Sequence, residues 1–229
     1  MIEFLKNHWI LFLLLFLGAT VSFIVLFINR KKIQIKTIEA IIFSYAHIPL
    51  SIVFCAFFSL LESGFDLSRL GSMSLFGSLF LMPIFYLLFA LIAKKEINTV
   101  FNLGAICLCI GLMFARANCL IAGCCQGIIL FGSAFRFPTR ELEIIFYFAF
   151  IVLTYNKIFK SKKTFYGYPI LLISYGALRF LIEWFRDKNV ESYFHLSHIW
   201  AIGSLIIGLT LLIVLLKLRR SNINDEKIC

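Results

Sequence analysis

The stretch ICLCIGLMFARANCLIA, residues 106–122, decides the fold of this chain. It is an apolar run of the kind that spans a membrane as a helix, yet it contains a charged residue, Arg116. A guanidinium stays protonated at any accessible pH, and at bilayer depth it costs about 2.5–3.5 kcal/mol. Such a residue normally faces the protein interior and holds an anion or lines a polar cavity. A second apolar run, residues 168–185, contains Arg179 and raises the same question.

The composition of the whole chain is that of an integral membrane protein. Of the 229 residues, 61% are hydrophobic, 27 are Phe and only 15% are charged, and the mean hydropathy is +0.95. A water-soluble domain of this size would not carry so apolar a composition. The formal net charge is +10, but the Lys and Arg residues cluster in short loops between apolar runs, which argues against nucleic acid as a partner.

The apolar runs predict an all-α membrane protein with about seven transmembrane helices. Residues 1–217 are expected to form one polytopic membrane domain, and residues 218–229 a polar cytoplasmic tail. The first run lacks a basic leader and a small-residue cleavage site, so we expect it to remain as an anchor. The seven runs lie near 9–28, 41–61, 73–93, 100–122, 142–156, 166–185 and 197–216.

The loops predict the orientation. With seven spans, fourteen basic residues fall on one side of the membrane and six on the other. The positive-inside rule then places the N-terminus outside and the C-terminus in the cytoplasm. The cytoplasmic group is Arg30, Lys31, Lys32, Lys36, Lys94, Lys95, Lys157, Lys160, Lys162, Lys163, Lys217, Arg219, Arg220 and Lys227, and the outer group is Lys6, Arg69, Arg136, Arg140, Arg186 and Lys188.

The segment 175–186 carries a polar stripe. Tyr175, Arg179, Glu183 and Arg186 are spaced four, four and three apart, so they share one face of a helix whose other faces are apolar. A polar stripe in a membrane helix must face protein or water. Two interpretations stay open: a functional site, or an ion-pair ladder within one helix that only braces the fold.

The end of the fourth run contains further polar residues. Asn118 supplies a donor and an acceptor close to Arg116, and both are candidates for binding an anionic headgroup. Cys119, Cys124 and Cys125 suggest a metal, but adjacent cysteines do not match the usual spaced pairs of a zinc site, and no His is near. The sequence therefore predicts no metal site. A disulfide on an oxidising outer face and small apolar packing remain as alternatives.

Other polar residues have mainly structural explanations. Glu143 follows the helix-start signal Pro138–Thr139 and lies deep enough to pair with an arginine across the bundle. His47 in the second run is expected to be a helix-to-helix hydrogen-bond partner. Small residues at the start of the third run allow close backbone approach, by a helix or by a lipid headgroup. They are Gly71, Ser72, Ser74, Gly77 and Ser78.

From about Glu39 to Asp187, these segments resemble the prolipoprotein diacylglyceryl transferase family. The segment 175–186 looks like the family's Tyr-Gly-x-x-Arg-Phe-x-x-Glu-Phe-x-Arg pattern. Arg116 matches the arginine of its Gly-Arg-x-Gly-Asn-Phe signature. Further matches are Met73, Ser74 and Gly77 with the family's Gly-Met-Ser-Phe-His-Gly-Gly-Leu segment, and Pro138, Thr139 and Glu143 with its His-Pro-Ser/Thr-Gln-Leu-Tyr-Glu segment.

The chain also departs from the family pattern. The family's histidine, often proposed as its base, falls at Phe76. Two signature positions, an asparagine and a glutamate, fall at Cys119 and Cys124, and the Gln of the Pro-Thr segment falls at Arg140. The arginine of the family's second span is missing, since Ser51 and its neighbours stand there. The chain therefore resembles a divergent branch of the family.

The resemblance implies transfer of diacylglycerol from phosphatidylglycerol to the lipobox cysteine of prolipoproteins, at the bacterial inner membrane and without a cofactor. Arg116, Arg179, Glu183 and Asn118 are then expected to bind the lipid, with Glu183 orienting Arg179. Arg179, Tyr175 and Glu143 are the expected catalytic residues, and Tyr175, Glu143 or the lipid phosphate itself remain candidates for the base. The departures from the family pattern motivate an alternative hypothesis, in which the chain is a non-catalytic or re-purposed lipid- or peptide-binding protein of the same fold.

Overall fold

The described residues of the chain form seven α-helices. A computed structural model describes residues 2–66, 73–129, 135–160, 165–187 and 196–228, without the side chains of 2–8, 160 and 220–228. Gly71, Ser72, Arg69, Lys162, Lys163 and Lys188 lie outside these residues. The helices are α1 (Ile2–Ile33), α2 (Thr37–Glu62), α3 (Leu75–Ile92), α4 (Ile97–Ala122), α5 (Thr139–Lys160), α6 (Gly167–Glu183) and α7 (Leu196–Ile228).

Within the described residues, six of these helices are long and apolar enough to cross a membrane. The exception is α6, which has only 17 residues and includes Arg179 and Glu183. The prediction of seven helices is therefore confirmed, whereas the prediction of seven membrane-spanning helices is confirmed for six. The run expected to end at 156 continues to Lys160, and α7 extends to Ile228, through most of the expected tail.

Helix α4 lies at the centre of the bundle. It packs against α1, α2, α3, α5 and α6, while α7 packs along α6. Central residues of α4 such as Ala105 and Ile106 are completely buried. Apolar residues on the outer faces of other helices are exposed, for example Leu153 at 72% and Ile92 at 81%. This arrangement suits a lipid environment, where apolar surface faces the acyl chains.

A neutral cluster of hydrogen bonds joins α2, α3, α4 and α6. His47 Nε2 lies 2.7 Å from the Tyr86 hydroxyl, which donates to the carbonyl of Gly104 at 3.2 Å. The Tyr168 hydroxyl donates to the carbonyl of Leu79. All three side chains are buried. The prediction that His47 is a hydrogen-bond partner between helices is thus confirmed.

Gly77 allows α2 and α3 to approach closely. A Cβ atom at Gly77 would lie 2.2 Å from the carbonyl oxygen of Phe54. Just before α3, the backbone N–H of Ser74 donates to the carbonyl of Cys55 at 3.1 Å. The close-packing interpretation of the small residues therefore holds at Gly77, where the neighbour is a helix backbone.

The two ends of the bundle differ in their polar groups. At one end, basic residues of the α1–α2 and α3–α4 turns lie together, and Lys95 pairs with Glu39 at 3.2 Å. At the other end, called here the site end, α4 and α6 terminate and α5 begins. The extended backbone there pairs in isolated bridges between Gly127 and Arg186 and between Ile129 and Arg136.

Candidate functional site

Four buried charged side chains form one group at the site end, called here the charge cluster: Arg116, Glu143, Arg179 and Glu183. The Glu143 carboxylate pairs with both guanidiniums, through one oxygen to Arg116 and through the other to Arg179. Arg179 also pairs with Glu183 at 3.0 Å. Each of the four residues is at most 5% exposed. The expectation that Glu143 pairs with an arginine across the bundle is confirmed, and it pairs with two.

Helix ends place these residues together. Arg116 lies seven residues before Gly123, which ends α4 with φ +68°. Glu143 lies in the second turn of α5, which begins at Thr139. The Thr139 hydroxyl donates to the carbonyl of Cys125 at 2.9 Å. The start of α5 is thereby bonded to the turn that follows α4.

The expected ladder along the polar stripe is also present. Glu183 accepts Arg179 on one side and lies 3.8 Å from Nη1 of Arg186 on the other. Arg186 lies beyond the end of α6, at the rim of the charge cluster, where its side chain is 25% exposed. The two interpretations of the stripe are thus compatible, because the same ladder continues through Arg179 to Glu143 on another helix.

One donor of the charge cluster lacks an acceptor. Within the described part of the chain, the buried Nε of Arg179 has no hydrogen-bond partner. An unsatisfied buried donor carries a desolvation cost of about 1–3 kcal/mol, and more when the group is charged. The cluster therefore retains capacity for a further anionic oxygen.

Aromatic rings form one wall of the charge cluster. Tyr175 is buried, its ring stacks on that of Tyr147 at 5.9 Å, and its hydroxyl interacts electrostatically with Glu143. Phe76 is 3% exposed and its ring centroid lies 6.1 Å from that of Tyr175. The position where the family resemblance implies a histidine is therefore beside the charge cluster, but it carries no group that titrates.

Asn118 is separated from the charge cluster. It follows Arg116 by two residues, which places the two side chains about 200° apart around a helix of 3.6 residues per turn. It is half-buried, and none of the hydrogen bonds found among the described residues joins it to Arg116, Glu143 or Arg179. The structure thus gives no support to its predicted part in the site, and helical spacing alone would have shown this.

Three thiols lie next to the rim of the charge cluster. The Sγ atoms of Cys119, Cys124 and Cys125 are all within 4.8 Å of one another. Arg186 donates to Cys125 Sγ at 3.1 Å. The Cys119 thiol and, more weakly, the Arg186 guanidinium lower the pKa of the Cys125 thiol below its usual range, against burial, which raises it.

Two residues of the site end were not singled out from the sequence. Arg140 was noted only as a departure, yet it donates to the carbonyls of Cys119 and Cys124, at 3.2 Å each. Glu62, the last residue of α2, is half-buried and interacts electrostatically with Arg179. The signal for Glu62 was available, because it is an acidic residue that directly follows the second apolar run.

An apolar cleft lies between α1, α2, α3 and α4 in the same half of the bundle. Its cavity volume is about 80 Å³, and it reaches Ala115, the neighbour of Arg116 in the chain. This volume is below the range of about 300–1,000 Å³ that is typical of ligand clefts, so the cleft in this structure accommodates only a small apolar group. Its lining includes Leu15, Ile52, Met73, Leu108 and Leu112.

The chain also matches a known protein family. Residues 4–214 match the sequence profile of the prolipoprotein diacylglyceryl transferases. No curated protein matches the chain. Because the family match runs from α1 into α7 and includes every residue of the charge cluster, the chain belongs to the prolipoprotein diacylglyceryl transferase family, a transferase family of lipoprotein biosynthesis.

Proposed function

We propose that the protein transfers the diacylglyceryl group of phosphatidylglycerol to the thiol of a lipobox cysteine in prolipoproteins, at the bacterial inner membrane. Family membership supports lipid transfer to prolipoproteins. One observation carries the finer proposal: guanidiniums from two different helices converge on a single carboxylate deep in the bundle. A pair of fixed positive groups at this depth suits a lipid phosphate, which enters from the side of the bilayer.

The phosphate first binds beside Glu143, at the arginine donors that this carboxylate does not occupy. Guanidinium and phosphate match in geometry and form two parallel charge-assisted hydrogen bonds. The vacant Nε of Arg179 offers one of these donors. Glu183 keeps Arg179 oriented from the far side through its 3.0 Å ion pair. The apolar lining of the cleft that begins beside Arg116 offers a contact surface for the acyl chains.

The reaction is a displacement at the glycerol carbon that bears the phosphate. The acceptor thiolate forms a C–S bond to that carbon while the C–O bond to the phosphate breaks, and the electron pair leaves with glycerol phosphate. The thiol proton passes to Glu143, which then releases the guanidiniums. The leaving phosphate gains a negative charge as the C–O bond breaks. Arg116 and Arg179, no longer paired with Glu143, then form hydrogen bonds to this phosphate, which stabilises the transition state more than the ground state.

Tyr175 is the second candidate for the proton acceptor, because its buried side chain lies in the aromatic wall of the charge cluster. Glu143→Gln and Tyr175→Phe separate the two roles. If Glu143 accepts the proton, Glu143→Gln lowers kcat strongly while Tyr175→Phe retains most of it. The reverse result assigns the proton to Tyr175.

The basic turns support the proposed orientation. By the positive-inside rule, the end that carries them lies in the cytoplasm, which places the site end at the outer leaflet. Both termini then lie as the sequence predicts, the N-terminus outside and the C-terminus inside. A cysteine-accessibility measurement with a membrane-impermeant reagent, on single cysteines introduced at Lys36 and Arg136, tests this orientation.

The decisive experiment is complementation. The chain is expressed in bacterial cells depleted of their own diacylglyceryl transferase, and lipoprotein lipidation is measured by mass shift. The chain should restore lipidation, Arg116→Ala and Arg179→Ala should each abolish it, and Arg136→Ala, which removes an exposed guanidinium at the same end, should retain it. Absence of rescue by a membrane-inserted chain would contradict the proposal.

A second function is favoured by Phe76, which stands beside Tyr175 where the resemblance implies a histidine. In this alternative the charge cluster binds a lipid or a lipidated peptide without transfer. Purified protein would then retain phosphatidylglycerol in an Arg179-dependent manner, yet fail to rescue the depleted cells. Retention of lipid together with rescue supports the transferase.

A further inference from the structure

We propose that Cys119, Cys124 and Cys125 bind one thiophilic d¹⁰ metal ion of the Zn²⁺ or Cu⁺ class. Their Sγ atoms lie within 4.8 Å of one another. Zinc–sulfur bonds of about 2.3 Å in a tetrahedral site place the sulfurs about 3.8 Å apart. A shift of about 1 Å or less therefore closes the three thiols around an ion, and thiolates select zinc and copper(I) over harder cations.

The chain brings the three cysteines together through its turn after α4. Gly123 has φ +68° and Cys125 has φ +56°, so the backbone reverses at once. Cys124 and Cys125 thereby fold back over Cys119 in the last turn of the helix. Spacing along the chain argues against a metal site, because adjacent cysteines do not match the spaced pairs of zinc sites. The reversal answers that argument, because Cys124 and Cys125 meet a third cysteine, Cys119, across the turn.

The backbone of all three cysteines is held from outside the group. Arg140 binds the carbonyls of Cys119 and Cys124, and Thr139 binds the carbonyl of Cys125. Both of these residues belong to the first turn of α5. The carbonyls are therefore held by α5, and the Cys124 thiol itself donates to the Cys119 carbonyl at 3.9 Å. Because the backbone of the three cysteines is already fixed, metal binding costs less conformational entropy than it would in a flexible loop.

The surrounding charge also suits a thiolate site. Three thiolates around a divalent ion carry one net negative charge, and Arg186 already donates to Cys125 Sγ at 3.1 Å. Hydrogen bonds to ligating sulfurs are a common means by which proteins stabilise such sites. In the described ranges no fourth His, Cys, Asp or Glu joins the group. Since Cys124 is exposed, one coordination position faces outward and is open to water.

The test uses the full chain in detergent, reduced and stripped with a chelator, and does not depend on transfer activity. Titration with Co²⁺ should produce a sulfur-to-cobalt charge-transfer absorption that saturates at one equivalent, and Zn²⁺ should displace it. Cys124→Ser, the most exposed position and hence the mildest change, should reduce this absorption strongly, as should Cys119→Ser and Cys125→Ser. Cys55→Ala, a buried cysteine in α2 outside the group, should leave it unchanged.

Two results would overturn the proposal. The first is a reduced, monodisperse protein without charge-transfer absorption, or with absorption that persists in the cluster variants. The second is a protein whose mass before reduction is lower by two hydrogens through a Cys119–Cys125 or Cys119–Cys124 disulfide, and which binds no Co²⁺ after reduction. Thermal unfolding of each variant establishes that a lost signal does not reflect a lost fold.

Discussion

The neutral cluster around Tyr86 and the charge cluster around Glu143 are both buried between helices, but their bonding differs. In the neutral cluster, the hydroxyls of Tyr86 and Tyr168 donate to backbone carbonyls, so the partners are fixed once the helices form. In the charge cluster, carboxylates and guanidiniums bind one another, and Arg179 Nε has no acceptor among the described residues. Side-chain ions exchange partners for a ligand far more readily than backbone carbonyls do. The comparison indicates that the first cluster serves the fold and the second serves binding.

The largest effect on stability is expected from Glu143→Ala. It leaves two buried guanidiniums without their shared carboxylate, and loss of one partner from a buried ion pair costs about 3–5 kcal/mol. The free energy of unfolding in mixed micelles of increasing SDS content measures this loss. Glu141→Ala is the matched control, because its side chain is 42% exposed and such surface pairs contribute about 1 kcal/mol or less. Equal losses of unfolding free energy in the two variants would contradict the prediction that the buried carboxylate contributes more than the exposed one.

A smaller effect of opposite sign is expected when the whole charge cluster becomes apolar. The variant with Arg116→Met, Glu143→Leu, Arg179→Met and Glu183→Leu removes the desolvation cost of all four ions. Well-packed apolar replacements of buried ion pairs are neutral or stabilise by about 1–4 kcal/mol. The same unfolding assay should show retained stability, and the complementation assay should show no lipidation. A strongly destabilised variant would mean that the charge cluster maintains the fold.

The smallest effect on lipidation is expected in the neutral cluster. Tyr86→Phe leaves the buried His47 Nε2 without its partner, at a cost of about 1–3 kcal/mol. Lipidation per folded molecule should not change. Gly104→Ala should behave alike, because its new Cβ would lie 2.5 Å from Tyr86 Cζ and displace the ring. Loss of activity without loss of stability would show that the neutral cluster also acts in function.

Much of the fold could be predicted because hydropathy is a property of contiguous residues. The runs predicted seven helices, and the depth of Glu143 predicted a partner across the bundle. The double pairing of Glu143 could not be predicted, since it depends on how α5 is rotated against α4 and α6. The shortness of α6 was concealed because its apolar run continues past Glu183 to Trp184 and Phe185.

The clustering of Cys119, Cys124 and Cys125 is the second feature that the sequence could not predict. Spacing along the chain argued against a metal site, because adjacent thiols on a regular backbone point apart. The positive φ angles at Gly123 and Cys125 reverse the chain within a few residues, and Arg140 fixes the result from the next helix. No feature of the sequence predicts a left-handed conformation at a cysteine such as Cys125. By contrast, the position of Asn118 away from the charge cluster could have been predicted from helical geometry alone.

The pairing of Arg116 with Glu143 has a consequence for biogenesis. A single ionised side chain in a nascent span raises the cost of insertion by about 2.5–3.5 kcal/mol. Here α4 and α5 carry opposite charges that meet, so the two helices enter the bilayer as an electrically balanced hairpin. Arg179 arrives later with its own counter-ion, Glu183, one turn away on the same helix. The order of the charges along the chain thus supplies Arg116 with a counter-ion on the next helix and Arg179 with one on its own helix.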